Sequence, residues 1–187
     1  MERRLSLIMV LLATSLVAGC SATSDAPSKP VDTPSVADRP QADRGRYGPD
    51  VVHLAGLRDI EFGESQRKLT REGTLLPQTT PCGARLAGVA TAGPVFDEDR
   101  LVLLWADSPM QTPEGIMVGT AVEQVRRAYP QATRLTAPQG TYRFDGLLAT
   151  EGDRAYLFLH DGQTVRKTVV GYADYARKLF DEGFGTC

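Results

Sequence analysis

Histidine and cysteine are scarce: the 187 residues hold two of one and three of the other. His53 and His160 stand far apart, and neither has cysteine or carboxylate neighbours at ligand spacing, so the sequence shows no metal motif. The acidic triplet Asp97-Glu98-Asp99 lacks the loop pattern that encloses calcium and reads as a hairpin tip. Positive charge is not in surplus either. With 21 Lys and Arg against 23 Asp and Glu, the net charge of −2 gives no basis for a nucleic-acid partner. No cofactor motif is visible. No apolar run reaches the roughly 20 residues that a helix needs to cross the hydrocarbon core. The most apolar stretch, Leu5 to Val17, is broken by Ser6, Thr14 and Ser15.

That stretch suits the apolar core of a secretory signal, with Arg3 and Arg4 in front of it as the positive segment. It ends in Val17-Ala18-Gly19-Cys20, which resembles the lipobox of bacterial lipoproteins. The resemblance implies cleavage before Cys20 and acylation of its sulfur, hence a lipid anchor at the outer face of a cell membrane. An ordinary cleaved secretory signal followed by a chance cysteine is the alternative. Removing residues 1–19 leaves 168, a length that suits one folded domain. Residues 20–47 follow as a linker rich in Pro, Ser, Asp and Ala, with no apolar side chain larger than valine before Tyr47. It cannot bury enough surface to offset its conformational entropy, which predicts a disordered tether spanning roughly 30 Å.

Residues 48–187 are expected to form the domain and carry an internal repeat, about 57–110 and 113–172. Ile60-Glu61-Phe62-Gly63-Glu64-Ser65 through Leu69 lines up with Ile116-Met117-Val118-Gly119-Thr120-Ala121 through Val125 at an offset of 56. Each copy predicts a short strand, a glycine turn and a capped helix with Leu69 or Val125 on its apolar face. Glu64, Ser65 and Thr120 are the candidate N-terminal residues; Gly73 with Pro77 closes the first helix and Pro130 ends the second. Strands are predicted in "ARLAGVAT", "RLVLLWA", "TYRF", "AYLFLH" and "TVRKTVVGY". Asp145-Gly146 and Asp161-Gly162 are the turn signals between them. A short helix closes the chain, with Tyr175 and Leu179 on one face. The fold class this predicts is α+β: two similar helix-plus-hairpin units sharing an antiparallel sheet, with helices packed on one face.

The repeated element is similar to the start of repeats in the beta-lactamase inhibitor protein family and in outer-membrane assembly lipoproteins of the SmpA/OmlA (BamE) type. It also resembles two-repeat lipoproteins of high-GC Gram-positive bacteria, a source to which the excess of Arg over Lys, 17 to 4, also points. The resemblance implies a binding or assembly module and carries over no functional residue. With Cys20 committed to lipid, Cys82 and Cys187 form an even pair in an exported domain, a disulfide candidate; free thiols and intermolecular pairing are the alternatives.

Enzymatic chemistry has one foothold. Ser65-Gln66-Arg67-Lys68 matches S-x-x-K, the spacing that puts an amine one helical turn from a serine hydroxyl in penicillin-recognising enzymes. Arg166-Lys167-Thr168-Val169 only approaches K-T-G, S-D-N is missing, and Ser65 has a simpler use as a helix cap. Trp105, Tyr156 and Phe158 would form a patch for a protein partner if the sheet left one face uncovered. The leading expectation is a non-catalytic, lipid-anchored binding or assembly module of the cell envelope. A small hydrolase or transferase using Ser65 and Lys68, and a small-ligand sensor, are the alternatives.

Overall fold

A computed structural model describes residues 47–76, 83–139 and 143–183 of the chain. The expected signal segment, the expected linker up to residue 46, and Cys20, Cys82 and Cys187 lie outside the described residues, and with them the expected acylation and disulfide. In chain order the elements are β1 (Val52–His53), β2 (Gly56–Leu57), β3 (Ile60–Glu61), α1 (Gln66–Arg71), β4 (Leu75–Leu76), β5 (Arg85–Leu86), β6 (Ala92–Asp97) and β7 (Arg100–Ala106). Then follow α2 (Val122–Ala128), β8 (Thr133–Leu135), β9 (Asp145–Glu151), β10 (Arg154–His160), β11 (Val165–Tyr172) and α3 (Ala173–Glu182). The described residues are mostly β, with 43% strand against 18% helix.

The two strongest apolar runs explain the architecture. Leu101, Val102, Leu103 and Leu104 of β7 are all 0% exposed. Successive strand side chains point to opposite faces, so a run buried throughout needs cover on both sides. β7 lies inside a six-stranded antiparallel sheet of order β6-β7-β11-β10-β9-β8. The register with β6 shifts from Val95↔Leu103 to Phe96↔Leu101, so Val102 is the extra residue of a bulge. As a result Val102 and Leu103 join one core cluster, while Leu101 and Leu104 join the other.

One face is covered by α1, α2 and the β1-β2-β3 meander: Leu69, Val122, Val125 and Leu57 pack with Leu104, Phe158 and Val170. The other face is covered by α3, whose Ala176, Leu179 and Phe180 pack on Leu103, Leu157 and Val169. This overturns the expected arrangement of two helix-plus-hairpin units with all helices on one face. Short helices of six, seven and ten residues are accessories to a sheet that takes two strands from the first half and four from the second.

What the repeat encodes is a local docking device. Gly63 and Gly119 take φ of 97° and 93°, a region open to glycine. The Gly63 N–H donates to Leu101 O and the Leu101 N–H to Glu64 O; Gly119 does the same with Val165 O, and Val165 with Thr120 O, all four at 2.8–2.9 Å. β7 and β11 are antiparallel neighbours, so the two copies dock at opposite ends of the central strand pair. Glu64 and Thr120 do not cap helices. Their side-chain oxygens accept the N–H of Glu61 and Met117, three residues back, at 3.0 Å in both copies.

Three strand assignments also change: Arg143 and Phe144 of the expected "TYRF" strand are not in a strand, and Thr133–Leu135 pairs with β9 instead. Asp145-Gly146 is no turn: both residues lie inside β9, paired with His160 and Leu159. Gly146 leaves room for Phe180, whose ring carbon would stand 3.0 Å from an added Cβ. The partner of β7 across the Glu98-Asp99 turn is Ala92–Asp97, and only Arg85–Leu86 of the expected "ARLAGVAT" strand forms.

Gly171 pairs with Leu103 of β7 at φ 148°, and an added Cβ would lie 2.2 Å from Val102 O. Because backbone is the obstacle, Gly171→Ala is expected to lower stability by at least about 2–3 kcal/mol. An unchanged denaturation midpoint in urea would contradict this.

Candidate functional site

Where the β9–β10 turn, the meander and the end of α2 converge, the surface opens into a cleft of about 470 Å³. Tyr156 and Phe158 alternate along β10 and so face the same side, their rings stacked 5.9 Å apart. Tyr129 lies against both, at 5.5 and 5.3 Å. It reaches them because Pro130 disfavours helical geometry in the residue before it. Tyr129 leaves the helix at φ −127°, ψ 71°. It stands 56 positions after Gly73, so the second copy places a ring where the first closes its helix with glycine.

The remaining walls come from loops. Tyr47 and His53 meet with ring centroids 5.2 Å apart and line the cleft together with Glu151, Asp153 and Arg154 at the β9–β10 turn. Glu114 projects from a turn closed by the Gly115 N–H on Thr112 O at 2.9 Å, and it accepts the Tyr129 hydroxyl proton in a hydrogen bond. The Tyr156 hydroxyl donates to Val52 O at 3.4 Å.

Neither buried phenol of the cleft is poised to ionise near neutral pH. Burial, joined for Tyr129 by the bond to Glu114, pushes both phenols well above their ordinary 10.0. At neutral pH both are therefore uncharged donors, unsuited to act as bases. Arg154 is the guanidinium of the lining; it pairs with Asp153 and lies over the Tyr172 ring at 3.6 Å. Against it stand three carboxylates, Glu114, Glu151 and Asp153.

Of these residues the sequence pointed to Tyr156 and Phe158, as part of a partner patch, and set His53 aside as a metal ligand. That patch does not form: Tyr156 and Phe158 lie on the α1/α2 face, whereas Trp105 packs on the α3 face with the Lys167 ammonium 5.4 Å from its ring. Ser65 is the N-cap of α1, its Oγ accepting the Lys68 N–H at 3.1 Å. The Lys68 ammonium is bound to the Glu64 carboxylate, which raises its pKa above 10.5 and works against a base role. His160 ends β10, 6% exposed, with Nδ1 accepting the Gly162 N–H at 3.1 Å. The acidic tip is tied into the structure: Asp97 accepts from Tyr175 Oη at 2.6 Å and Asp99 pairs with Arg67 at 2.9 Å. Two signals pointed toward the cleft, the Tyr-Pro helix end and the Tyr-x-Phe alternation. Both also describe ordinary core residues.

Comparison with known protein families, with curated proteins and with solved structures finds no match.

Ser65→Ala removes the cap and is expected to cost about 1 kcal/mol of stability, read by urea denaturation. A loss above about 3 kcal/mol would point to a larger role than capping. Burial holds the His160 imidazole below its ordinary 6.5, with Arg126 and Arg134 acting the same way and Asp145 and Asp161 opposing. A group depressed in the folded state stabilises fully above its unfolded pKa and loses that contribution as pH falls. The melting temperature is therefore expected to decline as pH drops below 6.5. His160→Gln should flatten that limb, and a wild-type melting temperature that holds constant there would refute the assignment.

Proposed function

We propose that the chain is a lipid-anchored, extracytoplasmic lipoprotein whose domain works by binding a component of the cell envelope, without covalent chemistry of its own. The observation that carries the binding reading is the cleft, an open cavity of about 470 Å³ with aromatic walls and phenols held protonated. It falls within the range of roughly 300–1,000 Å³ typical of ligand pockets. The use of Ser65 as a cap and of Lys68 as the partner of Glu64 supports a non-catalytic reading over a serine nucleophile.

The anchor rests on Val17-Ala18-Gly19-Cys20 behind Arg3, Arg4 and the apolar run. Each buried methylene contributes roughly 0.8 kcal/mol, so two or three acyl chains on one residue hold a protein at a membrane where one chain is marginal. The tether then keeps the domain close to the membrane with its cleft available to a neighbour.

Growth with a palmitate analogue is expected to label the wild type and not Cys20→Ala; an unlabelled wild type would end the anchor. Crosslinking on living cells followed by mass spectrometry should return one reproducible envelope partner, and Tyr129→Ala should deplete it. Capture that ignores the cleft variant would move binding elsewhere on the domain.

A further inference from the structure

We infer that the cleft takes an organic ammonium group, seated against the tyrosine faces and balanced by Glu114 and Glu151. The inference rests on the binding reading above and names the chemistry that the same site would recognise. Ring faces carry negative quadrupole charge and attract cations lying over them. The lining offers such rings in Tyr47, Tyr129 and Tyr156. Burial keeps the phenols of Tyr129 and Tyr156 protonated, so neither ring carries localised phenolate charge.

Charge selects the sign of the ligand. Arg154 pairs with Asp153 and lies over the Tyr172 ring, its Nε without a hydrogen-bond partner among the described residues, so Glu114 and Glu151 are the two carboxylates of the lining beyond that pair. An anion would meet these two carboxylates with Arg154, already paired with Asp153, as the one cationic side chain of the lining. Glu114 is oriented by the Tyr129 hydroxyl, and a carboxylate has about four lone-pair sites, so one phenol bond leaves acceptor capacity toward the cleft. A bare metal ion fits less well. No group of three metal-ligating side chains occurs among the described residues, and about 470 Å³ far exceeds what an ion fills. The ammonium could belong to a free small molecule or to a lysine side chain displayed by a partner, the same chemistry from two sources.

The test titrates the purified full chain, followed by amide NMR, with choline, with N-acetyl-lysine methylamide, and with 3,3-dimethylbutan-1-ol, in which carbon replaces the cationic nitrogen of choline. One of the two cations should shift the amides of Glu114, Tyr129 and Glu151 and bind at least about tenfold more tightly than the neutral alcohol. Preference for choline would name a small molecule as the source, and preference for the blocked lysine a partner side chain. Glu114→Gln, an exposed substitution that should leave the fold intact, is expected to weaken binding at least about threefold. Equal binding of the alcohol, or no cation shift at these amides, would overturn the ammonium assignment. If Tyr129→Ala still depleted the crosslinked partner in that case, the binding reading would stand and only the ligand class would fall.

Discussion

The pairing of β7 with β11 carries the rest of the molecule. Leu103 to Ala106 lie in register with Thr168 to Gly171, and these paired stretches are buried on both faces, with Trp105 half-buried. A central pair of this kind exists only if two separate layers cover it, because each face presents apolar side chains that water would otherwise meet. α3 supplies one layer, while α1, α2 and the meander supply the other. The close approach at Gly171 shows how little slack that pairing leaves.

The two repeat copies are best understood as clamps on this pair. Each donates a glycine N–H to, and accepts an N–H from, the first residues of one central strand, at opposite ends because the strands run antiparallel. The same backbone device therefore serves two different side-chain settings. Divergence between the copies is where the candidate site arises: Gly73 ends one helix quietly, whereas Tyr129 turns a helix end into a wall of the cleft. Loops from the meander, the Thr112–Gly115 turn and the β9–β10 turn complete it.

Much of the chain's local organisation was legible. The glycine turns, the Ser65 cap, the helix end at Pro130, the Asp161-Gly162 turn and the final helix all follow from short-range chemistry that a few residues contain. Errors arose where a residue answered to a distant partner. Gly146 looked like a turn because glycine usually marks one, yet it makes room for Phe180 from the far end of the domain. Trp105 and Tyr156 looked like neighbours in one aromatic patch. A sheet has two faces, and the Val102 bulge together with the register decides which face each residue takes.

The sequence by itself determined the local elements, the repeat and the expectation of an exported, tethered domain, since caps, turns and targeting segments are read within a few residues. Only the tertiary structure decided that the helices divide between two faces and that Tyr47, Glu114, Tyr129 and Glu151 surround one cavity. Those residues come from segments far apart in the chain. What brings them together is the burial of a sheet on both sides, a property of the assembled core that no single segment encodes.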